Sequence, residues 1–372
     1  MIVLPFAMHM ANELLSVPVA GATLALAAGA VALAGVRARS TLDAEKLPLM
    51  GVMGAFVFAA QMINFALPGM PGTSGHLGGG VLLAILLGPS GAIVCMTAIL
   101  IVQCLLFQDG GLLALGCNVL NMGVVPALAG WSAYRGILGR SAAPKPWRQY
   151  IAAWAAATVG VTAGAGLVPI QAVLSGVLRI PVADFLAVMV GVHLLIAFIE
   201  GAITFAVLAY LRRTRPATLG LPVADGRERL SRKAVLASLL LTATLLAGVI
   251  SWFASARPDG LEWSYKHRAY GASKESVQNP SPTVRGVDAW QVRYALLPDY
   301  SRRAAALGQE PPQEPAHGDG APEGRNQPEA EAYPNVNAWG SLAGLLGTAA
   351  TLGLVYLLAT LIRRRKTPDA SS

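Results

Sequence analysis

A succession of apolar stretches, each set off by a short loop, constrains this chain more than any other feature. A helix that crosses a bilayer needs about 20 predominantly apolar residues. Candidate spans lie at Leu14–Val36, Pro48–Leu67, His76–Gly88, Gly91–Phe107, Leu112–Tyr134, Tyr150–Leu174, Phe185–Leu211, Ala234–Ala254 and Trp339–Ile362. Only 13% of the residues are charged and the mean hydropathy is +0.54, whereas soluble domains carry about 25% charged residues. A single water-facing core cannot hide that much apolar surface, so lipid must cover part of it. The expected fold class is therefore all-α: a polytopic helical membrane protein with a core of about seven helices and two C-terminal helices flanking an outer segment. Abundant Gly and Ala within the stretches suit close helix–helix approach in lipid.

Charge placement orients the spans. Short loops rich in Lys and Arg stay in the cytoplasm. Basic residues cluster at Arg37, Arg39 and Lys46, at Arg135, Arg140, Lys145 and Arg148, along Arg212–Lys233, and at Arg363, Arg364, Arg365 and Lys366. The opposite short loops are nearly bare: Pro68–Gly75 has no charge and Gln108–Gly111 has only Asp109. All four clusters share one side if the candidate stretches each cross once, with the N-terminus outside and the C-terminus in the cytoplasm. That parity requires His76–Phe107 to cross twice about a hinge at Gly88-Pro89. The formal net charge of +8 is then a topology signal, and no nucleic-acid-binding motif accompanies it. The expected organisation is a membrane core at 1–215, a cytoplasmic linker at 216–232, and a C-terminal unit at 233–372 holding two spans and an outer loop at 255–338. The first half of that loop has aromatics that favour folding, while Gln309–Pro334 reads as a disordered linker.

The three cysteines, Cys95, Cys104 and Cys117, lie in apolar stretches without a C-x-x-C pair. They read as small buried hydrophobes, not as a disulfide framework or zinc site. Polar residues at membrane depth are functional candidates, and three places supply them: Met8-His9-Met10, the segment from Asn64 through Thr73-Ser-Gly-His76 to Gly78-Gly79-Gly80, and Asp109-Gly-Gly-Leu followed by Asn118-Val-Leu-Asn121-Met-Gly123. Asn64, Ser74, Gln103, Asn118 and Asn121 either support ligating imidazoles, which usually donate their second ring N–H to an oxygen, or form interhelical hydrogen bonds. His193 and Glu200 lie two turns apart on one helix face, as a polar pair that fixes packing or as a second metal or proton site. Asn12 and Glu13 are placed to cap the first helix.

These motifs carry a resemblance. Thr73-Ser-Gly-His-Leu77, the Asp109–Gly123 motif and Gly191-Val-His-Leu-Leu-Ile-Ala-Phe-Ile-Glu-Gly-Ala-Ile-Thr204 together make residues 8–215 similar to the membrane-embedded substrate-binding subunit of the nickel/cobalt energy-coupling-factor transporters. From about Arg232 onward, with Pro258-Asp-Gly-Leu-Glu262-Trp263 as its signature, the chain resembles the auxiliary subunit of these transporters, here fused. The resemblance implies import of divalent cobalt or nickel, the former tied to cobalamin biosynthesis, with the ion as cargo and no resident cofactor. It implies nitrogen ligands carried onto Met8 (its α-amine), His9 (backbone nitrogen and imidazole) and His76. An amine, a deprotonated amide nitrogen and an imidazole close fused chelate rings in one plane, and tetragonal nitrogen sites favour Ni(II) or Cu(II). An interior Met8 has no free amine, so the expectation is that translation starts there and not at Met1. Many members of that family carry Pro-Asp-Gly after the first His, where this chain has Met10-Ala-Asn-Glu13.

No G-x-x-x-x-G-K-[ST] segment is present, so ATP hydrolysis is expected from separate ATPase subunits acting with a transmembrane coupling subunit. The expected location is the inner (plasma) membrane of a bacterial cell. Two other readings stay open. One is an intramembrane metal enzyme using His76, His193 and Glu200, although no H-E-x-x-H motif exists; the other is a carrier acting alone.

Overall fold

The computed structural model describes residues 9–43, 46–70, 72–139, 141, 143–177, 181–223, 228–264, 281–301 and 334–364. Met8, residues 309–333 of the expected linker, and the tail's Arg365 and Lys366 lie outside the described residues.

Helix α1 covers Val17–Thr41, α2 Lys46–Gln61 and α3 Gly80–Phe107. Between α2 and α3 a two-residue hairpin pairs β1 (Phe65–Ala66) with β2 (Ser74–Gly75). Helix α4 (Leu115–Asn118) runs through a π-helical segment at Val119–Val124 into α5 (Val125–Leu138). Helices α6 (Pro146–Leu174) and α7 (Val182–Thr214) complete the first unit. Then follow α8 (Arg232–Gly248), the short α9 (Gly260–Trp263), α10 (Pro282–Tyr294) and α11 (Ala338–Arg364). Five of these helices, α1, α3, α6, α7 and α11, are long and apolar enough to cross a membrane. Their outward faces carry residues such as Leu26, Leu33, Phe198 and Leu357, between half and two-thirds exposed, a surface that suits lipid and not water.

Besides Ala234–Ala254, whose helix α8 stops at Gly248, three predicted spans differ from the observed helices. Helix α2 has 16 residues and stops at Gln61, short of Leu67. At about 1.5 Å per residue it falls below the ~30 Å hydrocarbon thickness. It tolerates this because it is wrapped: Gly51 lies against Leu352, and Gly54 against Cys95 and Val355, so α3 and α11 cover it. The stretch His76–Gly88 is helical only from Gly80. The arm Gly80–Leu87 reaches only about 12 Å, less than half the ~30 Å hydrocarbon thickness. The third difference is α4–α5, whose π segment was not anticipated; π-bulges recur at functional sites.

Helix α3 turns at Gly88, where φ is 78° and ψ 162°. Only glycine adopts that conformation without a steric penalty, and Pro89 behind it cannot donate to the preceding turn. The two arms come back together at Gln61, whose Nε2 donates to Gly78 O at 2.8 Å while its Oε1 accepts from Gln103 Nε2 at 3.0 Å. The start and the end of α3 therefore face the same side of the molecule.

Candidate metal centre

The N-terminal arm is pinned before α1 begins. Asn118 grips Met10 through both backbone groups, accepting from its N at 3.0 Å and donating to its O at 3.2 Å. Gly111 N also donates to Met10 O at 3.1 Å. Asn12 does not cap α1: its Oδ1 accepts from Leu113 N at 2.7 Å, and its Nδ2 donates to Asp288 at 2.5 Å and Gln291 at 3.2 Å. These bonds set His9 beside Asp109, with Nδ1 donating to Oδ1 at 2.7 Å. His9 is only 2% exposed, and its Nε2 has no hydrogen-bond partner among the described residues.

His76 arrives from the β2 strand. Its ring centroid lies 5.6 Å from that of His9, its Nδ1 contacts Leu77 O at 3.1 Å, and its Nε2 lies 3.9 Å from Asp259 Oδ2. Glu200 holds the glycine segment behind it, accepting from Gly78 N at 2.8 Å and Gly79 N at 3.1 Å. His9 and His76 line one cavity of about 90 Å³, along with Asn121, His193, Glu200 and Asp259. Among the described residues no three His, Cys, Asp or Glu side chains are gathered closely enough to hold an ion by themselves. Further donors must come from backbone or amine nitrogen or from water.

The fused C-terminal unit closes this cavity from outside. Ser74 N donates to Pro258 O and Ser74 Oγ to Arg257 O, both at 2.8 Å. Asp259 caps α9 by accepting from Glu262 N at 2.7 Å, the D-x-x-E spacing of a capping box. Burial pushes the Asp259 carboxyl up to about 7, against the hydrogen bond from Glu262 N. Farther along, Gln291 donates to Cys104 O and Gly110 O and accepts from Leu112 N, and Tyr300 donates to Asp109 Oδ2 at 2.6 Å. Burial raises the Asp109 carboxyl, but the facing His9 and the hydrogen bonds from His9 and Tyr300 outweigh it and leave the group below its ordinary value. A second cavity of about 290 Å³ lies beyond, lined by Asn64, Arg257, Asp259, Glu262, Asp299 and Tyr300 among others, so Asp259 stands in the wall of both.

The predicted support residues divide. Asn118 fixes the arm that bears His9, and Gln103 acts at one remove through Gln61 on the glycine segment. Asn121 exchanges two hydrogen bonds with Gln171, at 2.7 and 2.9 Å, joining the π segment to α6. Ser74 binds the fused loop, and Asn64 lies in the outer cavity, where its backbone O accepts from Ser255 N. The expected pairing of His193 with Glu200 does not occur. His193 Nδ1 donates to Met189 O at 2.8 Å, and Glu200 is occupied by the Gly78 and Gly79 amides. Gln61, Gln291 and Tyr300 escaped the sequence reading. Only Gln61 left a signal there, as a lone amide closing an apolar stretch.

Fold and site together define a polytopic helical membrane protein that buries an imidazole-lined cavity. The chain belongs to the family described as the cobalt uptake substrate-specific transmembrane region, matched over residues 9–218, and it carries a PDGLE domain matched over residues 233–364. Membership makes it a membrane component of cobalt or nickel transport, not an enzyme. A Haloquadratum walsbyi protein named for metal transport is 39% identical over 211 residues, covering 56% of this chain and 92% of its own. An Archaeoglobus fulgidus protein named as a fused nickel transport protein is 33% identical over 79% of this chain and 88% of its own. The cobalt transport protein CbiM of Geobacter sulfurreducens is 32% identical over 65% of this chain and 72% of its own.

Proposed function

We propose that this chain is the substrate-specific component of an ATP-driven energy-coupling-factor transporter that imports divalent cobalt or nickel across the plasma membrane. The observation that carries this reading is His9 Nε2, buried and unpartnered among the described residues, in a cavity it shares with His76. An imidazole lone pair sealed away from water without a partner costs stability, and a cation that accepts it recovers that cost.

The donors are the α-amine of Met8, the backbone nitrogen and imidazole of His9, and the imidazole of His76. His9 Nδ1 donates to Asp109, so the ring nitrogen left for the ion is Nε2, with the carboxylate holding the other ring N–H as is common for ligating histidines. The N-terminus lies outside and the C-terminus in the cytoplasm. Energy comes from a separate transmembrane coupling subunit and ATPases, since the chain has no phosphate-binding loop of its own.

Radioactive nickel and cobalt uptake tests the transport reading in cells expressing the full chain with and without the partner ATPases. Uptake that requires both the chain and the ATPases is the expected result. Full uptake by the chain alone would establish a self-sufficient carrier and overturn it.

A further inference from the structure

Only five histidines occur in the chain. Three of them, His9, His76 and His193, line the same cavity, while His267 and His317 lie outside the described residues. The three share one polarity. Each Nδ1 faces an oxygen: Asp109 Oδ1 at 2.7 Å for His9, Leu77 O at 3.1 Å for His76 and Met189 O at 2.8 Å for His193. A carbonyl oxygen can only accept, so the Nδ1 of His193 carries the proton and its Nε2 carries the lone pair. A backbone carbonyl holding the second ring nitrogen is the usual setting of a metal-ligating histidine. Glu200, the partner expected for His193, is engaged by the Gly78 and Gly79 amides.

Position along α7 gives the order of events. The fused loop meets this helix at Val192 and His193, where a Cβ on Gly260 would stand 2.6 Å from Val192 Cγ1 and 3.5 Å from His193 Cε1. The β2 strand meets it one turn later, with Gly75 against Ile196. The glycine segment meets it a further turn on, at Glu200. His193 thus lies on the loop side of His76, directly under the segment that carries Asp259.

We propose that His193 is an entry ligand for the divalent cation, coordinating it through Nε2 beneath the Asp259–Gly260 loop and passing it to His76 and His9. The assignment rests on the cation-capture reading above and names a residue that reading does not use. Its ligand class is a borderline divalent transition ion, which accepts imidazole nitrogen and carboxylate oxygen alike. The step is ligand exchange: one Nε2–metal bond forms as a metal–water bond breaks, then gives way to the His76 bond. The proton on His193 Nδ1 stays there, donated to Met189 O throughout, and no electron moves.

Stopped-flow mixing of Ni(II) alone with the purified chain beginning at Met8 tests this, with dissociation followed by chelator trapping. His193→Ala and His193→Gln should each slow association and dissociation by roughly tenfold and leave the equilibrium affinity within about threefold, because a transit ligand lowers the barrier in both directions. The glutamine retains a donor for Met189 O and most of the volume, so normal rates in His193→Gln would assign the residue to packing and overturn the proposal. Loss of affinity as complete as in His76→Ala, in both variants, would also overturn it by making His193 a resident ligand. Failure of the unsubstituted chain to bind Ni(II) would instead overturn cation capture itself, a result distinct from normal binding with unaltered variant rates.

Discussion

The Tyr300 hydroxyl donates to Asp109 Oδ2 at 2.6 Å, while the other oxygen of the same carboxylate accepts from His9 Nδ1 at 2.7 Å. One carboxylate therefore links the fused C-terminal unit to the first histidine of the membrane core. Tyr300 is itself held by stacking on Phe107, with centroids 4.8 Å apart and planes inclined by 13°. Through Tyr300 the auxiliary unit thus acts on His9 by way of Asp109, from outside the lining of the cavity.

Replacing Tyr300 with Phe retains the stack and removes the donor. Asp109 then loses one of the two bonds that orient it, and His9 loses a firm anchor. Metal affinity should weaken roughly 10-fold, at the low end of the 10–100-fold range for outer-sphere partners. Calorimetry on purified protein reads this directly, and affinity equal to that of the unsubstituted chain would dissociate Tyr300 from the site.

Gln291 fastens the arm in a different way. Its side chain bridges Cys104 O, Gly110 O, Leu112 N and Asn12 Nδ2, and it is 2% exposed. Gln291→Leu leaves these buried groups short of partners at a cost of about 1–3 kcal/mol. Hydrogen–deuterium exchange should accelerate at residues 9–14 and 110–114 while the interiors of α6 and α7 stay protected. Uniform acceleration throughout would indicate global destabilisation and not a local fastening.

Metal affinity should fall as the solution is acidified. Imidazole and amine nitrogens bind either a proton or the ion, so binding releases protons. Each proton that the ion must displace weakens the apparent affinity by up to about tenfold per pH unit of acidification. Titrations at several pH values check the slope. An affinity constant between pH 5 and 8 would mean that the ligands are not titratable nitrogens.

Nickel bound in one plane by four nitrogens is diamagnetic and absorbs in the visible as a yellow to orange band. Such a band should grow with added Ni(II) and saturate. It should appear with a chain that begins at Met8 and be absent from one that retains Met1–Ala7, because only the former offers a free amine beside His9. Equal bands from the two chains would remove Met8 from the ligand set.

Much of this was legible in the sequence because its physical causes are local. Apolar length marked the spans, the Gly88-Pro89 pair marked the turn in α3, and Thr-Ser-Gly-His76 with Asp109 and Asn118 marked the candidate site. What stayed hidden depends on long-range contact. Gln291 meets Cys104 across 187 positions, and no periodicity links them. Helix α2 ends at Gln61, ahead of the hairpin that pairs Phe65–Ala66 with Ser74–Gly75, a turn that an apolar continuation through Leu67 concealed. Asn12 reads as a helix cap from its position but is recruited by Leu113 N and Asp288, because a buried loop amide competes for the same side chain. His193 and Glu200 share a face as their spacing requires, yet each has a nearer partner.

The central claim is tested most directly by calorimetric titration of Ni(II) and Co(II) into the purified chain beginning at Met8, beside His76→Ala. One ion per unsubstituted chain and no measurable binding by a variant that keeps its helical circular dichroism is the predicted pair of results. Undiminished affinity in His76→Ala would contradict it.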